Sequence, residues 1–242
     1  MKKRTMKNIA LVGLMLVVPG LASANFTVNW NMSGDFWGEP GEDFTGNLGA
    51  APDLPANTFW NQNPMPTNTT LTASDGVTVT SVGYEFPGGW PWNDVAWDAG
   101  LGDPSLDIFQ RGWGGEQDAA ASSMDIFGLD DAYEHDLYIY SNLIHPNPIV
   151  SLRGGQFTVG GTTLIATSLE GDSFIEGVNY VKFSNLTPSG GTITVSLENY
   201  DTGDINAWVV NGFQIVQIPE PSTLALAAAG VLALCVARAR RR

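Results

Sequence analysis

Apolar and polar positions alternate at several places along the middle of this chain, and no stretch keeps a long helical period. Leu137 and Ile139 alternate with Asp136, Tyr138 and Tyr140. Val181 and Phe183 alternate with Tyr180, Lys182 and Ser184, and Ile193, Val195 and Leu197 with Thr192, Thr194 and Ser196. A period of two marks a strand with one buried face. Phe157 and Val159 run into Gly160-Gly161, and Leu164 and Ala166 follow, which is the pattern of a hairpin. After the turn Ser74-Asp75-Gly76, Val77, Val79 and Ser81 alternate with Thr78, Thr80 and Val82, predicting another strand. A last strand is expected over residues 207–218, with Val209, Phe213 and Ile215 inward. Gly212 in its middle signals a bulge or a close backbone approach. Many short strands parted by Gly-rich turns predict an all-β body, a β-sandwich or jelly roll. Trp60 and Trp208 are its expected bulky core residues.

Two parts of the chain break this pattern. Residues 34–66 are rich in Gly, Pro, Asn and acid, and read as a long, partly ordered surface connection. Residues 87–123 hold a Trp-rich segment and an Ala/Ser stretch over 119–123, compatible with one short helix or a long loop. A connection of that size points to function or disorder.

Both ends of the chain are addresses rather than fold. Lys2, Lys3, Arg4 and Lys7 precede an apolar run over residues 9–21, and Ala22-Ser23-Ala24 offers small residues for cleavage. Residues 1–24 therefore read as a secretory signal peptide, cut after Ala24. At the other end, Ile218-Pro219-Glu220-Pro221-Ser222-Thr223 leads into an uncharged apolar run of 13 residues, 224–236. Arg238, Arg240, Arg241 and Arg242 follow it. As a helix that run is about 20 Å long, against a hydrocarbon core of about 30 Å. Ser222 and Thr223 extend it on one side, and snorkelling arginine stems on the other. The arginine cluster sets the C-terminus in the cytoplasm and everything upstream outside. Pro219 and Pro221 forbid a helix at the outer boundary and hold it extended, a shape a membrane peptidase can grip. The plainer reading is a tail anchor behind a proline-rich linker.

Residues 218–242 resemble the PEP-CTERM sorting signal of exported proteins in Gram-negative bacteria that make extracellular polysaccharide. One departure is that isoleucine stands at 218, where valine is commoner. The resemblance implies an exosortase as partner, a cysteine-dependent transpeptidase-like membrane protein that recognises Pro219, Glu220 and Pro221. It also implies an inner-membrane-anchored intermediate that ends at the cell surface or in the extracellular matrix.

Setting both ends aside changes the charge. Residues 25–217 keep three basic side chains, Arg111, Arg153 and Lys182, against twenty-four acids, a net charge of −21. Such a surface repels nucleic acid and anionic lipid, and favours divalent cations or neutral partners. The single cysteine, Cys235, lies in the apolar tail, so the body carries no disulfide. Nearly two hundred residues suffice for one well-packed unit.

Within the body, several pieces resemble a jelly-roll domain that recurs ahead of such tails and beside carbohydrate-active enzymes, related in shape to galactose-binding-like modules. They are Thr58-Phe59-Trp60-Asn61, Leu71-Thr72-Ala73-Ser74-Asp75-Gly76, Phe127-Gly128-Leu129 and Leu137-Tyr138-Ile139-Tyr140-Ser141. Val178-Asn179-Tyr180-Val181-Lys182-Phe183 and Asn211-Gly212-Phe213-Gln214-Ile215 close the set. Their order implies the fold and leaves the ligand open.

Candidate chemistry is sparse. The two histidines are His135 and His145, no Gly-x-Ser-x-Gly elbow exposes a serine, and no Cys/His spacing suggests zinc. A non-enzymatic protein is the expectation, and a secreted hydrolase or esterase acting on carbohydrate the alternative. Asp201-Thr202-Gly203-Asp204 sets two carboxylates across a Gly turn, a candidate Ca²⁺ site through Asp201 and Asp204, with Asp130-Asp131 and Glu134 as a second. A solvated acidic turn is the competing reading of both. Eight tryptophans stand in the body, with Trp90, Trp92 and Trp97 crowding one segment. Exposed indoles at Trp90 and Trp92 can stack on a sugar ring, with Asn93 and Asp94 for its hydroxyls. Packing in the core is the alternative use.

Overall fold

The computed structural model describes residues 26–31, 49–51, 59–63, 67–87, 92–94, 113–115, 122–142, 154–167, 174–198, 200, 208–218 and 238. Within them run β1 (Thr27–Asn31), β2 (Asn61–Gln62), β3 (Thr67–Asn68), β4 (Gly83–Glu85), β5 (Trp92–Asp94) and β6 (Trp113–Gly115). Then come β7 (Ser122–Phe127), β8 (Glu134–Tyr140), β9 (Gly155–Val159), β10 (Thr162–Ala166), β11 (Tyr180–Leu186), β12 (Thr192–Glu198) and β13 (Gly212–Ile218). One sheet has the order β11-β8-β13-β1-β2 and the other β10-β9-β12-β7-β4-β3, while β5 and β6 pair apart. Only β1 and β2 run parallel; the other pairs are antiparallel.

The two large sheets bury one core between them, which makes the body a β-sandwich. Val28 and Trp30 of β1, Leu137 and Ile139 of β8, and Phe213 and Ile215 of β13 come from the first sheet. Tyr84 of β4, Met124 and Ile126 of β7, Phe157 of β9 and Val195 of β12 come from the second. Trp30 lies at the centre, its ring 4.4 Å from Tyr84 and 5.3 Å from Phe213. Its indole N–H donates to the Asn63 carbonyl at 3.1 Å, so this large side chain is buried with its polar atom satisfied. The chain crosses between sheets from β7 to β8, β8 to β9, β10 to β11, β11 to β12 and β12 to β13. This arrangement is compatible with the expected jelly roll.

Local sequence explains the tight connections. Val159 pairs with Thr162 across Gly160 and Gly161, whose φ values of 56° and 83° make the two-residue turn that suits the twist of β9 and β10. Gly212 lies where a Cβ would stand 2.3 Å from the Trp30 carbonyl oxygen. The expected close approach is therefore a strand-to-strand contact between β13 and β1, and only glycine fits it.

Three expectations need correction. Residues 77–82 do not form a strand of either sheet. Thr72 and Val79 make an isolated bridge, the Ala73 N–H donates to the Thr78 carbonyl, and Val77 and Val79 are 82% and 71% exposed. Leu71 and Ala73 take the buried places and Ala73 bridges to Val28, which leaves the returning arm outside the sheet. The last strand begins at Gly212 rather than 207, although Val209, Phe213 and Ile215 are buried as expected. In the 87–123 segment, the described residues form the β5–β6 pair and the start of β7, with Ser122 and Ser123 in a strand.

β11 is an edge strand, and its sequence blunts that edge. Its pairing slips between Phe183 and Leu186, with Asn185 at φ 56°, and Lys182 projects to Asp136 with a 2.6 Å ion pair. Burial works against the Lys182 charge, but hydrogen bonds to Asp136 and Tyr138 outweigh it and hold the ammonium above its usual range.

His135 is fully buried on β8. The carbonyls of Tyr133 and Leu186 lie near its ring, yet neither ring nitrogen makes a well-formed hydrogen bond. Burial chiefly pushes its pKa below the usual 6.5, only partly offset by those carbonyls and Asp130. The unfolded chain thus takes up a proton near pH 6.5 that the folded chain resists, so this group destabilises the fold as pH falls below that value. Protonation of the many acids relieves repulsion and works in the opposite sense. The expected result is that the melting temperature of wild type falls relative to His135→Leu between pH 7.5 and 5.5. A gap independent of pH would show that His135 titrates alike in both states.

Candidate functional site

The sandwich has two unlike ends. Asn31, Asn142, Asn179 and Asn211 are buried where β1, β8, β11 and β13 meet at one of them. Two of their side chains replace the missing ladder at strand ends: the Asn211 side-chain oxygen accepts from the Asn142 N–H at 2.6 Å, and that of Asn179 from the Ile175 N–H at 2.9 Å. At the same end the second sheet contributes Phe86, stacked on Trp208 with ring centroids 6.0 Å apart, and Thr167, whose N–H donates to the Gly177 carbonyl.

From this end leave the connections 32–48, 88–121, 143–153, 168–173 and 199–207, because β1, β4, β8, β10 and β12 all finish here. Between them they contain Trp37, Trp90, Trp92, Trp97 and Trp113, whereas Trp30, Trp60 and Trp208 are buried in the body. They also contain fourteen of the body's twenty-four acids. At the opposite end the turns are short: residues 128–133, Gly160-Gly161 and 187–191. There the Leu129 N–H donates to the Gly191 carbonyl, and the Gly191 N–H to the Asp131 carboxylate at 2.7 Å. Phe26 and Ile218 also lie at this end, with the Gln217 N–H donating to the Phe26 carbonyl and Ile218 opposite Glu134. The tail therefore leaves from the end opposite the long connections.

The expected site residues divide accordingly. Trp92 and Asn93 lie on β5, opposite Gly115 and Gly114 of β6, within the 88–121 connection. Trp90 of the same connection, Asp201 and Asp204 of the 199–207 connection, Pro219, Glu220 and Pro221, and Ala22 and Ala24 fall outside the described residues. His145 does so too. The strands that precede the 88–121 and 199–207 connections, β4 and β12, finish at one end of the sandwich, while β13, which the proline motif follows in sequence, finishes at the other. Among the described residues no three acidic, His or Cys groups are placed to hold a metal. Asp130 and Asp131 instead accept backbone N–H bonds from Ala132 and Gly191, so the second Ca²⁺ candidate is a pair of turn caps.

A second aromatic cluster went unread in the sequence. On the outer face of the first sheet, Trp60, Tyr138 and Tyr140 are buried under Ala50, Ala51 and Phe174. The Tyr140 hydroxyl donates to the Gln214 side-chain oxygen, the Gln214 amide donates to the Asn29 side-chain oxygen at 2.8 Å, and the Asn29 amide to the Phe59 carbonyl at 2.8 Å. Burial, above all, holds the Tyr140 pKa well above its usual value, so this phenol stays neutral and structural. The signal was present in β8, where tyrosines at 138 and 140 alternate with Leu137 and Ile139: a strand apolar on both faces is covered on both.

The described residues define a class by fold: a β-sandwich body whose last strand, β13, leads directly into the C-terminal tail. Residues 217–242 match the PEP-CTERM protein-sorting motif. The chain is thus an exported protein sorted through an exosortase, with a membrane-anchored intermediate. No curated protein sequence matches it. Among solved structures it is similar to the ANXUR1 extracellular domain of Arabidopsis thaliana, at 11% identity and a TM-score of 0.38. That match covers 55% of this chain and 40% of the other, a likeness too slight to carry an argument about fold or ligand.

Proposed function

We propose that the protein is a non-enzymatic component of the cell surface or extracellular matrix whose body binds extracellular polysaccharide. What supports this reading is where two connections begin: β4 and β12 finish at the end of the sandwich opposite Ile218, and the chain that follows them carries Trp90–Trp97 and Asp201–Asp204. Trp90 and Trp92 stack on sugar rings, Asn93 bonds their hydroxyls, and Asp201 and Asp204 hold Ca²⁺ that steadies the adjoining connections. A body of net charge −21 suits neutral glycans or those bridged by divalent cations.

The test is a glycan-binding screen on the mature protein, with calcium or with chelator. Trp90→Ala/Trp92→Ala should weaken binding at least about 30-fold, the loss expected when anchor aromatics worth about 2 kcal/mol are removed. Its melting temperature should not change, and chelation should weaken wild-type binding. Absence of binding to any glycan overturns the proposal. Turnover of a glycan, abolished by removing one acid or histidine, would favour the hydrolase alternative.

A further inference from the structure

Of the large hydrophobic side chains exposed among the described residues, Val77, Val79 and Phe59 fall together, at 82%, 71% and 42% exposure. They surround one turn. The Phe59 ring lies against Gly76, and the Phe59 N–H donates to the Ser74 carbonyl at 2.8 Å. The turn is fixed to the sandwich by the Ser74 N–H, which donates to the Thr27 carbonyl at 2.7 Å. Thr27 in turn pairs with Val216 near the end of β13. The apolar turn therefore stands at the tail-bearing end, roughly 10 Å to the side of the last strand, at about 4.8 Å per strand.

The tail sets how far that end can stand from lipid. Five residues, 219–223, separate Ile218 from the apolar run. Even fully extended they span at most about 18 Å, at 3.3–3.6 Å per residue. Headgroups occupy roughly 5–8 Å on each side of the hydrocarbon core. The end face of the sandwich therefore stands no more than roughly 10–13 Å beyond them, and closer where Ser222 and Thr223 extend the membrane run. We propose that Phe59, Val77 and Val79 form an apolar foot that rests on the outer surface of the inner membrane while the tail anchors the chain. This rests on the reading of residues 224–236 as the membrane segment.

The chemistry of the turn sets a shallow depth. Asp75 at its tip accepts from the Val77 and Thr78 N–H groups, each at 2.8 Å, and from the Thr78 hydroxyl. Those bonds lower its pKa and keep it ionised, so the turn stays among headgroups while the valines reach inward. Three side chains bind lipid weakly on their own. Tethering makes the contact intramolecular, with an effective concentration in the millimolar range, so the foot engages in the anchored form and lets go once the tail is cut. While engaged, it holds the long connections outward and the Pro219-Glu220-Pro221 segment at the membrane surface.

The test uses the full chain in vesicles of phosphatidylethanolamine and phosphatidylcholine, whose zwitterionic headgroups do not repel the acidic body, with an environment-sensitive fluorophore on one cysteine at a time. The positions are native Cys235, and Val77→Cys or Ile175→Cys in a Cys235→Ser background. Ile175 is exposed at the opposite end. A lipid-borne nitroxide should quench the probes at 235 and 77 but not at 175, and adding Phe59→Ser/Val79→Ser should reduce quenching at 77 at least threefold. Quenching at 235 with position 77 no more quenched than 175 overturns the foot and leaves the tail reading intact. No quenching at any position overturns both.

Discussion

Replacing Trp30 by alanine is expected to lower the stability of the body by about 3–5 kcal/mol, the range for deleting a large buried aromatic. The side chain is wholly buried and meets rings from both sheets: Tyr84 at 4.4 Å, Phe213 at 5.3 Å and Phe86 at 6.2 Å. The variant also loses one of two donors to the Asn63 carbonyl, the other being the Tyr84 hydroxyl at 3.3 Å. At about 2–4 °C per kcal/mol for a body of this size, the melting temperature should fall by roughly 6–20 °C. Val79→Ala makes the control, since a side chain 71% exposed should change stability by less than about 0.5 kcal/mol. Thermal unfolding followed by circular dichroism measures both. A Trp30→Ala shift no larger than that of Val79→Ala would contradict the shared core.

Where one face of a strand is buried, alternation was enough to find it. β11 and β12 are buried at Val181, Phe183, Ile193, Val195 and Leu197, the positions that the period of two selects. The Gly160-Gly161 hairpin was legible because a turn with positive φ at two successive residues needs glycine. The same rule misled at residues 77–82, where Val and Thr carry strand propensity but Val77 and Val79 stay exposed and the arm makes only an isolated bridge, Thr72 to Val79. Those valines are legible instead as surface once the tail is placed. β1 was missed because all five of its residues are buried: Val28 and Trp30 face the core, and Asn29 bonds to Gln214 and the Phe59 carbonyl. A strand whose outer face is closed by side-chain amides shows no apolar–polar contrast that a period could detect. The candidate site was legible only as composition. Trp90, Trp92, Asp201 and Asp204 are far apart in sequence, and nothing short of strand order places their connections at one end.

The sorting motif behaves differently, since its chemistry is local and needs no tertiary arrangement to be read. Pro219 follows the last residue of β13 directly, so the motif begins in sequence where the last strand ends. Glu220 is the motif's one charged side chain and the only acid beyond the body. Removing it while both prolines stay keeps the extended backbone and takes away the group that a processing enzyme can grip. The effect should be close to all or none, because the arginine-flanked tail otherwise stays in the bilayer. The most direct measurement is the intact mass and cell fraction of wild type and Glu220→Ala in cells that contain the exosortase. Wild type should leave the membrane beginning at Asn25 and lacking its terminal arginines, and Glu220→Ala should remain membrane-bound with Arg242 still in place. Release of Glu220→Ala at the wild-type rate and mass would contradict sorting through this motif and leave a plain anchor cut by an unrelated protease.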